Sequence, residues 1–68
     1  MLWIFERSGE QMRCEIRRDS AGAGYEMIVT SVDGSQRMER FEETTTLIKR
    51  TMDFQRDLLE TGWRQPKS

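Results

Sequence analysis

Sixty-eight residues suffice for one domain, and a chain of this size buries only about 60% of the surface its unfolded form exposes, so its stability margin is thin. One cysteine and no histidine exclude an internal disulfide and leave no ligand set for a structural zinc. Eleven basic and twelve acidic residues nearly cancel to a formal charge of −1, which is not the balance of a general nucleic-acid binder.

Large apolar residues alternate from Leu2 and predict a first strand over about 2–8. The segment Ser8-Gly9-Glu10-Gln11 can close a two-residue hairpin, with Gly9 supplying the positive φ of a type II′ turn. That turn would set Phe5 opposite Cys14 and Trp3 opposite Ile16. The start, MLWIFERSG, lacks a basic lead followed by a long apolar run, and no stretch approaches the roughly 20 apolar residues of a membrane span. A cytoplasmic chain with no membrane association is expected, which suits a lone cysteine.

Met12, Cys14 and Ile16 alternate with Arg13, Glu15 and Arg17, as in a strand over about 11–18 with one buried and one wet face. The segment Asp19-Ser20-Ala21-Gly22-Ala23-Gly24 is a small, flexible loop. A third strand over about 25–32 leads into Asp33-Gly34, a strong signal for a type I′ hairpin, and a fourth strand over about 36–41 returns. A two-residue turn there places Val29 opposite Met38 and Met27 opposite Arg40. Across the glycine-rich loop, Ile16 falls beside Met27 and Cys14 beside Val29.

These registers collect Trp3, Phe5, Met12, Cys14, Ile16, Tyr25, Met27, Val29 and Met38 on one face. Glu6, Arg13, Glu15, Arg17, Glu26, Thr30, Arg37 and Glu39 take the other face, with Leu2, Ile4 and Ile28 among them.

A single helix is predicted over about 43–61. Leu47, Ile48, Thr51, Met52, Phe54, Gln55, Leu58 and Leu59 share an arc about 160° wide, against the roughly 100° a one-sided surface helix needs. Glu42 and Glu43 suit its N-terminus, and one of Glu42 to Thr44 must cap it. Gly62 suits the position after the C-cap, with Trp63 folding back on Leu58. The fold class is therefore α+β, a four-stranded antiparallel meander packed on one C-terminal helix. The domain spans 1–63, and 64–68 is a tail expected to fray.

Without histidine the chain lacks the usual proton-transfer residue, and Cys14 alternates among core positions with no imidazole anywhere to activate it. No enzyme activity is expected, and no metal or cofactor. Association is then the remaining source of stability, most simply as a homodimer acting as a protein-protein interaction module. Its candidate interface residues are Leu2, Ile4 and Ile28 on the polar sheet face and Ile48, Met52 and Leu59 at the edge of the helix arc. Methionine at Met52 suits an adaptable contact. Arg13, Arg17 and Arg37 are the candidates for phosphate contact, although interleaved glutamates would repel a phosphate backbone and the aromatics fall on the helix-covered face. An accessory or inhibitor subunit is a further expectation.

Four strands followed by one helix is an order that resembles the Whirly and positive-cofactor families of single-stranded DNA binders, which pair such units through their helices. The resemblance lies in architecture alone and covers most of the chain. It implies a nucleic-acid-binding module as the alternative function, and this chain departs from those families in its charge balance.

Overall fold

The computed structural model describes residues 1–66 and shows an α+β fold. Four antiparallel strands form one sheet in the order β1-β2-β3-β4: β1 Leu2–Arg7, β2 Glu10–Arg18, β3 Tyr25–Thr30 and β4 Gln36–Phe41. The helix α1, Thr44–Glu60, follows and lies over β3 and β4.

The first hairpin closes differently from the expected type II′ turn. Ser8 and Gly9 both carry positive φ, 49° and 79°, the pattern of a type I′ turn, whose twist matches that of the strands it joins. Trp3 therefore faces Cys14 and Phe5 faces Met12, a shift of two residues. Because side chains alternate with period two, this shift leaves every residue on its expected face.

The second hairpin slips by one residue, which does change faces. Its loop has three residues, not two: the Gly34 amide donates to the Ser31 carbonyl and the Ser31 amide to the Ser35 carbonyl, with Gly34 at φ 87°. This is a turn followed by a left-handed residue that forms a bulge. The Asp33 carboxylate accepts from both the amide and the hydroxyl of Ser35, which favours this closure over type I′. Val29 consequently faces Arg37, Ile28 faces Met38 and Met27 faces Glu39. Met38 moves to the open face of the sheet, while Arg37 and Glu39 join the helix-covered face. The middle register, Cys14 with Val29 and Ile16 with Met27, is as the sequence predicts.

The core lies between sheet and helix in two joined clusters. Cys14, Met27 and Leu47 fill one, Phe5, Leu58 and Trp63 the other, and Trp3 and Phe54 pack against both. Phe5 and Phe54 meet edge to face, with ring centroids 6.2 Å apart at 90°. The helix starts after Glu43, which sits at the cap position without a side-chain cap, while the Thr46 hydroxyl donates to the Glu43 carbonyl. Its end is a Schellman motif: the Trp63 amide donates to the Leu58 carbonyl at 3.0 Å and the Gly62 amide to the Leu59 carbonyl at 3.2 Å, with Gly62 at φ 95°. Trp63 is buried against Leu58, the contact this motif usually carries.

Arg64, placed by sequence in the frayed tail, instead pairs with Glu6 of β1 by two backbone hydrogen bonds of 2.7 and 2.9 Å. The rest of that expected tail is split: Gln65 and Pro66 lie beside Leu2, Trp3 and Ile4, and Lys67 and Ser68 lie outside the described residues. The Asp19–Gly24 loop is closed rather than loose. The Asp19 amide donates to the Gly24 carbonyl, the Asp19 carboxylate accepts from the Ala21 amide, and its other oxygen pairs with Arg40.

Leu58→Ala should cost roughly 2 to 4 kcal/mol in urea denaturation, because Leu58 joins Phe5 and Trp63 and leaves a cavity when truncated. A cost below about 1 kcal/mol would show that the site collapses around the smaller residue. Gly34→Val should also lower the denaturation midpoint, since a β-branched residue resists the 87° φ found there; an unchanged midpoint would contradict that backbone geometry.

Candidate interaction surfaces

The sequence leaves two surfaces with apolar residues outside the core. The first is the flank of α1. Its buried residues, Leu47, Thr51 and Leu58, point at the sheet. Ile48, Met52 and Leu59 lie a quarter-turn round the helix and are 50%, 64% and 48% exposed. They follow one another at four and seven residues, with Gln55 between, so they form one stripe. Lys49 and Arg56 border it on the solvent side. Met52, Gln55, Arg56, Leu59 and Glu60 line an open, shallow depression there. The opposite flank is fastened to β4, where Nε and Nη2 of Arg50 bracket the Glu39 carboxylate at 3.1 to 3.2 Å.

The second surface is the open sheet face. Leu2 is 46% exposed and Ile4 half-buried, as expected of interface candidates. Ile28 is not: it is only 7% exposed. It occupies an inner strand, flanked on the same face by Glu15 and Met38. Met38, expected in the core, is instead 61% exposed beside it. The one-residue slip at the second hairpin puts Met38 on this face, while the inner-strand position of Ile28 takes it out of the interface candidates.

The candidate phosphate contacts are dispersed by the same slip. Arg13 and Arg17 stay exposed on the open face, with Glu15 between them and Glu26 opposite Arg17. Arg37 is on the other face, beside Glu39. Every aromatic on the strands points to the helix side, so the open face has no stacking platform.

Two contacts that sequence reading missed hold the ends of the fold. The Arg7 guanidinium lies 4.6 Å from the Trp63 ring centroid and donates to the Thr61 carbonyl at 3.0 Å, so a cation sits at the helix C-terminus. Asp19 is largely buried and pairs with Arg40 across β3. Asp19 before a run of small residues is a recognisable turn signal, but nothing in the sequence assigns its partner.

Cys14 is fully buried, and burial pushes its thiol pKa up to about 11. A thiol held protonated at neutral pH is a packing group rather than a nucleophile. Tyr25 is held below its usual pKa by hydrogen bonding to Arg18, whose guanidinium lies 5.8 Å from the ring centroid. Among the described residues no cluster of three or more Cys, Asp or Glu could hold a metal, and no helix is long and apolar enough to cross a membrane. Comparison with known proteins finds no matching family model, curated protein or solved structure.

Native Cys14 should resist Ellman's reagent at pH 8 and react only at the rate of unfolding; immediate reaction would place the thiol at the surface. Its folded pKa is raised from 9.0 to about 11, so the stability it confers is complete below pH 9 and is lost as pH rises towards 11. Urea midpoints should accordingly fall more across that window in the unmodified chain than in Cys14→Val; equal falls would refute the linkage.

Proposed function

We propose that this chain is a small non-enzymatic protein-protein interaction module that works as a homodimer. The observation that carries this reading is the amount of aliphatic surface left in water by so small a domain. Leu2, Val32, Met38, Ile48, Met52 and Leu59 are all about half exposed or more. Single exposed aliphatics are ordinary, but here Ile48, Met52 and Leu59 form one stripe on α1 while Leu2 and Met38 stand on the two outer strands, and Met38 lies on the bare edge that a second copy can use. One cysteine excludes an internal disulfide and the described residues hold no cluster of metal ligands, so this reading takes subunit contact as the stabiliser.

The helix stripe suits a partner other than a second copy. An antiparallel pairing of two such stripes about a two-fold axis would bring Lys49 of one copy beside Arg56 of the other, whose nearby carboxylates, Asp53 and Asp57, are already engaged by Arg56 itself. This favours a second reading, in which the dimer is an accessory subunit that offers the stripe to a larger complex. Nucleic-acid binding draws less support, because Arg37 is separated from Arg13 and Arg17 and the open face carries no aromatic residue.

Sedimentation velocity at tens of micromolar should return a mass about twice the 8.1 kDa of one chain. A single species of 8.1 kDa over that range would retire the homodimer. Leu59→Lys should leave that mass unchanged, since this reading keeps the stripe out of the dimer contact; dissociation of this variant would move the seam to the helix.

A further inference from the structure

We infer that two copies join through the outer edge of β4, antiparallel, with the two-fold axis passing through Met38. The inference rests on the homodimer reading and adds the seam and its register.

β4 is the last strand of the sheet and, among the described residues, bonds only to β3 on its inner side. Its outer edge is therefore a row of unpaired amides and carbonyls able to template another strand. Which residues supply that row follows from the second hairpin. Ser31 exchanges hydrogen bonds with Gly34 and Ser35, and bonded and non-bonded pairs alternate from there. Val29 with Arg37 and Met27 with Glu39 are the next bonded pairs, so the backbone groups of Arg37 and Glu39 turn inward to β3. Those of Gln36, Met38 and Arg40 turn outward. The first hairpin behaves in the same way: its register turns Glu6 outward, and Glu6 is the residue that bonds Arg64.

An antiparallel seam must join outward residues to outward residues, which leaves few registers. Centring on Arg37 would set two arginines face to face, and centring on Glu39 two glutamates. Centring on Met38 sets Met38 against Met38 and Gln36 against Arg40. It also places Arg37 opposite Glu39 twice, once on each side of the axis. The short sequence Arg37-Met38-Glu39 is its own charge complement when read in reverse.

The surroundings agree with this register. Among the described residues Arg37 makes no ion pair, whereas Glu39 already receives Arg50, so the seam would complete a carboxylate between two guanidiniums. Arg37 and Glu39 would meet as a non-bonded pair, the kind whose side chains approach most closely. On the other face the two Met38 side chains would cover each other beside Ile28. Charges on an edge strand normally discourage pairing with arbitrary strands, and these admit one partner, a second copy.

The test measures dimer dissociation by sedimentation equilibrium for the unmodified chain, Arg37→Glu, Glu39→Arg and the double exchange, with circular dichroism confirming the fold of each. Either single exchange turns two attractive pairs into two repulsive ones and should weaken the dimer about tenfold; the double exchange should restore it. Met38→Cys gives an independent readout: it should cross-link to a second copy on mild oxidation, because a bonded antiparallel pair sets its Cα atoms about 5.5 Å apart, within disulfide reach. Met52→Cys on the helix stripe should not. A dimer that ignores both single exchanges, or that cross-links through Met52→Cys and not Met38→Cys, would overturn the seam while leaving the homodimer standing. A chain that never dimerises would overturn both.

Discussion

The burial of one sheet face under one helix is the constraint on which the rest of this structure depends. Phe5, Cys14 and Met27 are shut away beneath Leu47, Phe54 and Leu58, and no second layer exists to share the load. A domain of this size has little else to spend on stability, so helix and sheet must be held in register by contacts at both ends. At one end Arg50 grips Glu39 on β4. At the other, the Schellman turn lodges Trp63 beside Leu58, and Arg7 closes over the indole. An exposed ion pair contributes only about 0.2 to 1 kcal/mol, so the Arg50–Glu39 pair orients the helix more than it stabilises it.

Much of this was legible in the sequence because the signals were local and redundant. Alternation in β2, the small-residue loop and the apolar run of β3 together fix the Cys14 to Val29 register. The helix arc and its Gly62-Trp63 ending need no tertiary information. The two hairpins were harder for a single reason: a glycine announces a turn but not how many residues the turn contains. Ser8 entering the left-handed region moved one register by two residues, with no effect on which side chains face inward. Asp33 binding Ser35 drew a third residue into the other loop and moved that register by one, which reverses the strand.

That reversal governs the candidate surfaces. It takes Arg37 away from Arg13 and Arg17, weakens the case for a phosphate-binding sheet, and places Arg37 and Glu39 together above β4. It also exposes Met38 on a strand whose outer side is open. The helix stripe, by contrast, was visible from periodicity alone, since Ile48, Met52 and Leu59 lie on the margin of an arc wider than one sheet can cover.

The Glu6–Arg64 bridge has a consequence for how far assembly can proceed. A sheet bare on both sides could add copies without limit and grow into a fibre. Here the return of the chain after α1 bonds to β1 at Glu6, and Pro66, which has no amide hydrogen, lies beside Ile4. In the proposed dimer the β4 side recruits, and two such sides meeting about a two-fold axis leave neither available. The short stretch after the helix, bonded to Glu6, would then act as a stop against polymerisation and keep the proposed assembly finite.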